Sequence, residues 1–315
     1  MARELRLGTR GSQLALWQAN TVKRRVEETG GPSCRVVVIR TSGDRLQQAP
    51  LSEIGGKRLF VKEIEDALLQ HEIDLAVHSS KDLPAVLPDG LAIAGALPRE
   101  DPRDAVVLGT GGAAISTVEE LVATLGQSPS IGTGSVRRVA QLKRLIPGGH
   151  FKPIRGNLDT RLRKLDEGEH DALVLAAAGL NRLGFGQRIS MLLPAEACVP
   201  APGQGIVAIE VRAGDESVRR TVAAIEDPAA AVALAAERSL VEALGGGCQT
   251  PIGALATVHG NALDLMAAVV SPDGSRALHE RIRGTSGAAR QLGEELARRL
   301  LDRGAREILD AAVHG

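Results

Sequence analysis

The sequence has very few aromatic side chains, since its 315 residues include one tryptophan, three phenylalanines and no tyrosine. The hydrophobic cores must therefore be built from Leu, Val, Ile and Ala, and stacking platforms for single-stranded nucleic acid are disfavoured. A surplus of charge is absent as well, because 38 Lys and Arg balance 38 Asp and Glu. No global field attracts the chain to nucleic acid or membranes, so any preference for anions must come from local clusters.

Cysteine is scarce too, with Cys34, Cys198 and Cys248 and no CxxC pair. This pattern argues against a disulfide framework and a thiolate metal site, and the seven histidines include no HExxH motif. We therefore expect no bound metal. The N-terminal residues lack an apolar export segment, and apolar runs such as residues 172–180 are too short to cross a bilayer. A cytoplasmic protein without membrane contact is expected.

The order of the predicted elements indicates the fold class. A chain of 315 residues exceeds one ordinary core, so two or three domains are expected. Short β-like runs alternate with helical patterns up to about residue 200, which is typical of α/β domains with largely parallel sheets. The predicted strands are 5–9, 35–40 (expected to be buried), 73–79, 105–109, 151–155, 172–176 and 206–211. One predicted helix begins at Ser12, and three others cover 60–70, 135–146 and 157–168.

The remaining part of the chain has a different texture. Proline-rich breaks at residues 98–104 and 194–205 are suited to hinges. Ala-rich helical runs over residues 216–244 then lead through a glycine loop to alternating strands at 263–270 and 277–284. Closing helices follow, so we expect a smaller C-terminal α+β domain.

Four polar segments fall between a strand and a helix, where open α/β sheets bind their ligands. Their backbone N–H groups, the N-cap residues Ser12, Ser135 and Asn157, and the neighbouring arginines together favour a small anion. The phosphate-binding motif GxxxxGK[ST] is absent. Residues 203–208 match a dinucleotide-binding pattern, but they precede a strand instead of joining a strand to a helix. A ligand that bears several carboxylates therefore fits better than a nucleotide. The segments are GTRGS (8–12), HSSKD (78–82), GTGSVRR (132–138) and RGNLDTR (155–161), and their arginines are Arg10, Arg137, Arg138, Arg155 and Arg161.

Simpler interpretations remain open for these residues. A solvated helix face explains Arg137 and Arg138 equally well, and Arg161 in the middle of a helix suits a surface position. An ordinary loop position or ion pair accounts for Asp82 unless it lies beside an anion-binding crevice, where it can accept N–H donors or move protons. The segment EIGGKRLFVKE, with Lys57 and Phe60, suits either a mobile lid or a surface loop.

Cys248 lies in GGGCQT (245–250), where glycines allow a bulky group to approach closely. No His or Asp neighbour suggests a nucleophilic dyad, so a permanent attachment point fits better than a turnover nucleophile. Cys34 opens a predicted strand and suits the core, while Cys198 lies in a proline-rich hinge with no base beside it.

Taken in order, these motifs resemble the porphobilinogen deaminase (hydroxymethylbilane synthase) family. The resemblance covers residues 5 to about 256 and is carried by LGTRGSQLALWQAN, FVKEIEDALL, AVHSSKDLP, GTGSVRR, IRGNLDTRLRKLDEGEHDALVLAAAGLNRLG, PAPGQG and GGGCQTPIGA. It implies two α/β domains like the lobes of periplasmic binding proteins, plus a smaller C-terminal α+β domain. The implied bounds are 1–99 with 201–222 for domain 1, 100–200 for domain 2 and 223–315 for domain 3.

The resemblance also implies the chemistry. Porphobilinogen would be deaminated and four units joined head to tail on a dipyrromethane cofactor held by a thioether to Cys248, and hydrolysis would release hydroxymethylbilane for tetrapyrrole biosynthesis. Asp82 would be the catalytic carboxylate that stabilises the cationic azafulvene, with Lys57 and Phe60 in the active-site loop. Cofactor-binding residues would be Lys81, Thr133, Ser135, Arg137, Arg138, Arg155 and Gln204, and substrate-binding residues Arg10, Ser12, Arg155, Arg161 and Arg182.

By the same resemblance we expect a monomer that passes its product to uroporphyrinogen-III synthase. The sequence departs from the family pattern at Glu53, Arg58 and Gly134, which affects the expected loop mobility and substrate affinity. Two other classes of protein fit the sequence less well: a receptor-like ligand-binding module, which gives Cys248 no role, and a DNA-binding regulator using residues 135–145. The regulator is disfavoured by zero net charge and the lack of a second basic patch.

Overall fold

The computed structural model describes residues 3–42, 61–112, 114–247 and 250–314. The strands of these residues are β1 (Leu5–Thr9), β2 (Cys34–Val38), β3 (Leu75–Ser79), β4 (Leu91–Ala96), β5 (Asp104–Leu108), β6 (Ser130–Gly132), β7 (His150–Lys152), β8 (Ala172–Ala176), β9 (Met191–Leu192), β10 (Val207–Arg212), β11 (Ile252–His259), β12 (Ala262–Val270) and β13 (Ala277–Thr285). Their helices are α1 (Gln13–Glu28), α2 (Lys62–Leu69), α3 (Val118–Leu125), α4 (Val136–Leu145), α5 (Leu158–Asp166), α6 (Ala177–Arg182), α7 (Glu216–Ala223), α8 (Pro228–Ala243), α9 (Ala289–Asp302) and α10 (Ala305–His314).

Two five-stranded sheets share one layout. The first has the order β2-β1-β3-β10-β4 and the second the order β7-β6-β8-β5-β9. In both, the first three strands are parallel and the fourth runs antiparallel to its neighbours. We call the first sheet with α1, α2 and α7 lobe 1, and the second sheet with α3 to α6 lobe 2.

The chain passes between the lobes twice, and each passage ends in the antiparallel strand of the lobe that it enters. The first crossover, residues 97–103, leads from β4 into β5. The second crossover, residues 193–206, leads from β9 back into β10, which inserts between β3 and β4. The two proline-rich segments of the sequence therefore form the connections between the lobes.

Strand β5 shows why helices cover both faces of the lobe 2 sheet. All its residues are buried: Val106 packs with Leu121 and Leu142 of α3 and α4, whereas Val107 packs with Leu162 of α5 on the other face. Successive strand residues point to opposite faces, so an uninterrupted apolar run requires cover on both sides. By contrast β2 is an edge strand with Val38 half exposed, and the prediction of a buried strand there was wrong.

The C-terminal unit, from α8 to the end of α10, is a three-stranded antiparallel sheet, β11-β12-β13, with α8, α9 and α10 packed on it. The predicted fold class, two α/β domains of periplasmic-binding-protein type and a smaller α+β domain, is thereby confirmed. The residue bounds given to the three domains stay a prediction. Within the described part of the chain, no helix is long and apolar enough to cross a membrane.

One buried carboxylate on α8 ties the C-terminal unit to both crossovers. Glu237 accepts a hydrogen bond from Arg99 of the first crossover at 2.5 Å and from the Gly203 amide of the second at 2.6 Å. It also accepts from the Ala256 amide of β11 at 2.7 Å. A fully buried charge is stable only when it is paired and hydrogen-bonded, and here three separate segments supply the partners.

Replacing Glu237 by glutamine should therefore destabilise the whole assembly. The variant keeps the size of the side chain but leaves Arg99 without a counter-ion. The glutamine NH2 group would also face an N–H donor in the buried site, so the free energy of unfolding should fall by about 3–5 kcal/mol. Urea unfolding should show a markedly lower midpoint than that of the wild type. Glu242→Gln, an exposed change on the same helix, should stay within about 0.5 kcal/mol of the wild type. Equal midpoints for the two variants would contradict this assignment.

Candidate active site

Lobe 1 contributes a small cavity at the carboxyl ends of β1 and β3, the edge at which open α/β sheets bind ligands. The cavity, about 80 Å³ in volume, lies between the loops that follow these strands. Ser12 caps α1 by accepting from the Ala15 amide at 3.3 Å, and the Gln18 side chain donates to the Ser79 hydroxyl at 2.8 Å. The two loops are thus held against each other. The predicted site residues that line the cavity are Arg10, Ser12 and Asp82.

Asp82 ends a short 3-10 turn, Ser80–Asp82, directly after β3. The second crossover holds this turn, because the Ser80 amide donates to the Ile206 carbonyl at 2.9 Å. Gly203 makes the close approach possible: its φ is +72°, and a Cβ atom there would lie 2.4 Å from the Ser80 hydroxyl oxygen. The turn places the half-buried Asp82 at the cavity wall.

Lobe 2 presents its polar loops from β6 and β7. Ser135 caps α4 by accepting from the Arg138 amide at 3.5 Å, whereas Asn157 occupies the N-cap of α5 without a side-chain cap bond. Thr133 is 2% exposed, and its buried hydroxyl has no hydrogen-bond partner in the described part of the chain. A buried polar atom without a partner is unusual in a folded protein, so this hydroxyl is suited to receiving a ligand. Arg155 lies in the loop after β7 and is half-buried.

Charged groups of the two lobes influence one another across these loops. Arg161 of α5 donates to the Gly156 carbonyl at 2.9 Å. Burial and the positive charge of Arg138 together lower the pKa of Arg161 to about 10, although the carboxylate of Asp82 acts in the opposite direction. The charge of Asp82 in lobe 1 thus acts on a guanidinium of lobe 2, and Arg161 is half-buried rather than on the surface.

Arg137 and Arg138 are buried, so the alternative of a solvated helix face is wrong. They are 3% and 7% exposed and share the carboxylate of Asp104, which is 0% exposed. Arg137 binds one Asp104 oxygen at 2.7 Å and the Val199 carbonyl at 2.7 Å. Arg138 binds the other Asp104 oxygen at 2.8 Å. Both arginines are consequently anchored at the start of β5, where the first crossover enters lobe 2.

Gln204 of the second crossover completes this buried network. Its amide donates to Asp104 at 2.8 Å and to the Pro102 carbonyl at 2.7 Å. Its carbonyl oxygen accepts from Lys81 of lobe 1 at 3.3 Å and from Arg138 of lobe 2 at 3.4 Å. One amide side chain thus connects residues of both lobes.

Arg182 ends α6 and turns toward lobe 1. It donates to the Gly205 carbonyl of the second crossover at 2.7 Å. Its guanidinium carbon also lies 5.4 Å from the ring centroid of Trp17 on α1. Burial lowers the pKa of Arg182, and the charge of Glu100 opposes that shift.

The two described cysteines are buried thiols. Burial raises the pKa of Cys34 in the lobe 1 core to about 11, which confirms its predicted place. Burial raises the pKa of Cys198 to about 12, and its thiol donates to Asp104 at 3.3 Å, so the expectation of no neighbouring base was wrong. The predicted residues Lys57, Phe60 and Cys248, and the departures Glu53 and Arg58, lie outside the described residues.

Two α/β lobes joined by paired crossovers, with a carboxylate and several arginines in the loops between them, define a two-lobed protein whose site is suited to a small anionic ligand. Residues 5–220 match the family model "Porphobilinogen deaminase, dipyromethane cofactor binding domain", and residues 231–302 match "Porphobilinogen deaminase, C-terminal domain". The chain belongs to the porphobilinogen deaminase family, whose members are transferases of tetrapyrrole biosynthesis with a dipyrromethane cofactor.

Relatives that carry the name porphobilinogen deaminase align over nearly the whole chain. The protein of Syntrophobacter fumaroxidans is 47% identical over 98% of this chain and 97% of its own length. That of Geobacter metallireducens is 47% identical over 98% of this chain and 94% of its own. Among solved structures, immunogenic lipoprotein A from Vibrio vulnificus is 12% identical with a TM-score of 0.44, covering 72% of this chain and 96% of its own.

The residues present fit a dipyrromethane with its carboxylate side chains. Arginine forks bind carboxylates bidentately, and the described loops supply them from both lobes. The buried Thr133 hydroxyl and the buried Nε of Arg137 lack hydrogen-bond partners in the described ranges, as expected of groups that meet a bound molecule. Within those same ranges, no group of three or more His, Cys, Asp or Glu could hold a metal ion.

Sequence reasoning missed Asp104, the carboxylate on which Arg137, Arg138, Cys198 and Gln204 all converge. Burial alone would raise the pKa of Asp104, but the charges of Arg137 and Arg138 hold it well below its usual range. The available signal was its position, an aspartate that opens an apolar strand directly after a proline-rich break. A charged side chain at the first residue of a buried strand needs an oppositely charged or hydrogen-bonding partner.

The lowered pKa predicts how Asp104→Asn changes stability with pH. Because the folded pKa lies below the unfolded value of about 4, the ionised carboxylate stabilises the fold above that pH and loses its effect as the pH falls below it. Asp104→Asn should therefore cost about 3–5 kcal/mol at pH 7, with the difference from wild type narrowing in acid. Urea unfolding at pH 7 and at about pH 3 measures both values.

A matched control is Asp310→Asn, an exposed change on α10 that should leave the free energy of unfolding unchanged at both pH values. A difference between wild type and Asp104→Asn that stays constant over this pH range would rule out the ionised pair.

Proposed function

We propose that the protein deaminates porphobilinogen, joins four units head to tail on a dipyrromethane primer attached to Cys248 and releases hydroxymethylbilane by hydrolysis. The observation that carries this proposal is the cavity at the carboxyl ends of β1 and β3, where Asp82 lies beside Arg10 and Ser12, in a chain of the porphobilinogen deaminase family. Cleavage of the substrate's C–N bond expels ammonia and leaves positive charge on the pyrrole. A carboxylate beside that ring stabilises the developing charge.

The roles of individual residues follow from their places. Asp82 accepts a hydrogen bond from the pyrrole N–H of the substrate and stabilises the cationic azafulvene after ammonia has left. The free carbon of a neighbouring pyrrole then attacks the exocyclic methylene, a C–C bond forms, and the displaced ring proton is lost. Arginines orient the acetate and propionate groups of the substrate so that the two carbons meet. We assign this orienting role to four arginines and one serine: Arg10, Arg155, Arg161, Arg182 and Ser12.

When bound, the dipyrromethane supplies the pyrrole carbon to which the first unit is joined. Residues that would hold it lie on both sides of the second crossover. Lys81 and Gln204 are already hydrogen-bonded to each other at 3.3 Å, and Arg138 reaches the same Gln204 oxygen at 3.4 Å. The set proposed to hold it is Cys248, Lys81, Thr133, Ser135, Arg137, Arg138, Arg155 and Gln204. Lys57 and Phe60 are proposed to belong to the loop that covers the site.

We further propose that the enzyme acts as a monomer in the cytoplasm and passes hydroxymethylbilane to uroporphyrinogen-III synthase. Support for these points comes from the family to which the chain belongs. Size-exclusion chromatography with light scattering would test the monomer.

Asp82→Asn is the most direct test of the catalytic assignment. The amide keeps the shape of the side chain but cannot stabilise the cation, so release of ammonia from porphobilinogen should slow about 100-fold or more. Thermal unfolding should stay close to that of the wild type because Asp82 is only half-buried. Asp89→Asn, an exposed change seven residues further along the same connection, is the matched control and should keep full activity. Near-normal turnover by Asp82→Asn would remove Asp82 from this role.

A further inference from the structure

Trp17, the single tryptophan of the chain, lies on α1 where lobe 1 meets lobe 2. Trp17 is 37% exposed, whereas Val22 and Val26 of the same helix are fully buried. Its ring contacts the guanidinium of Arg182 on lobe 2, with the guanidinium carbon 5.4 Å from the ring centroid. An aromatic ring at this distance attracts a cation through its π face.

The same two helices also approach each other one turn earlier on α6. A Cβ atom added to Gly179 of α6 would lie 3.8 Å from the Leu14 side chain of α1, so the glycine leaves room for Leu14 at this point. Leu14 and Trp17 are three residues apart, as are Gly179 and Arg182, so each pair lies on one face of its helix. The two helices therefore lie close together along these faces, and Trp17 and Arg182 make the contact between them.

Arg182 makes no salt bridge there within the described ranges, although the charge of Glu100 acts on it. Its guanidinium donates to the Gly205 carbonyl at 2.7 Å, and no carboxylate of the described ranges lies within salt-bridge distance of it. The nearby Glu100 instead accepts a hydrogen bond from Asn181 at 2.9 Å. A carboxylate partner would neutralise the guanidinium, whereas an aromatic face stabilises it and leaves its charge and N–H edge available.

We infer that Trp17 is a positioning residue that holds the unneutralised Arg182 guanidinium across the seam between the lobes, ready to bind a carboxylate of porphobilinogen or of the growing chain. The inference deepens the proposed function and rests on it for the identity of the ligand. The contact itself does not depend on that identity. The two parts can therefore be tested separately.

The contact is tested by fluorescence, because the chain has one tryptophan and no tyrosine, so emission excited at the red edge reports on Trp17 alone. Removing the guanidinium with Arg182→Gln should uncover one face of the indole and raise the Stern–Volmer constant for quenching by neutral acrylamide. Arg188→Gln is the matched control, since Arg188 pairs with Asp166 and should leave quenching unchanged. Equal quenching in wild type and Arg182→Gln would overturn the contact, whether or not the protein turns over porphobilinogen.

The positioning role is tested by steady-state kinetics with porphobilinogen. Trp17→Leu should raise KM about three- to tenfold with a smaller change in kcat, whereas Trp17→Phe, which retains a π face, should restore KM to within about twofold. In an Arg182→Gln background, Trp17→Leu should have no further effect on KM. A structural role alone would give additive effects or no rescue by phenylalanine, and either result would overturn the inference. If wild-type protein releases no ammonia from porphobilinogen, the proposed function fails and the quenching result still decides the contact.

Discussion

The buried carboxylate of Asp104 joins the segments on which the cleft depends. It opens β5 and binds both arginines at the start of α4, together with Cys198 and Gln204 of the second crossover. A fully buried charge is tolerated only with its partners in place, so the network favours a single arrangement of these segments. Through Gln204 the network reaches Lys81, the neighbour of Asp82. The lobe 1 turn and the lobe 2 loops are thereby positioned by the same buried contacts, and Glu237 connects the two crossovers to the C-terminal unit in a similar way.

Asp104 compensates only part of the positive charge gathered around it. The chain as a whole is neutral, with 38 basic and 38 acidic residues, so the local excess arises from where the fold places them. The pKa of Arg161 reflects this local excess of positive charge, because burial and Arg138 both lower it while Asp82 opposes them. A cleft with several guanidinium groups and the half-buried carboxylate of Asp82 suits a ligand that bears several carboxylates and develops positive charge as it reacts. Arg182, held by Trp17 and a carbonyl, adds a further cation whose charge no carboxylate of the described ranges neutralises.

Local patterns in the sequence predicted much of this architecture. The strands at Leu5–Thr9 and Ala172–Ala176 match their predicted bounds, and Ser12 and Ser135 cap their helices as expected, because strand periodicity and N-capping are local properties. Strand β4 and helix α3 were not predicted. The burial of Arg137 and Arg138 could not be predicted either, since a helix pattern does not reveal that Asp104, more than 30 residues away, supplies their counter-charge. The contact between Trp17 and Arg182 was not predicted for the same reason, because the two residues are distant in sequence.

The intact mass of the purified protein tests the covalent primer most directly. Wild-type protein incubated with porphobilinogen should carry an excess equal to two linked porphobilinogen-derived units, and Cys248→Ser should lack it. Cys34→Ser, a change at a buried thiol in the lobe 1 core, should keep the excess. A wild-type protein that remains unmodified after this incubation, or an excess that persists in Cys248→Ser, would contradict a primer attached at Cys248.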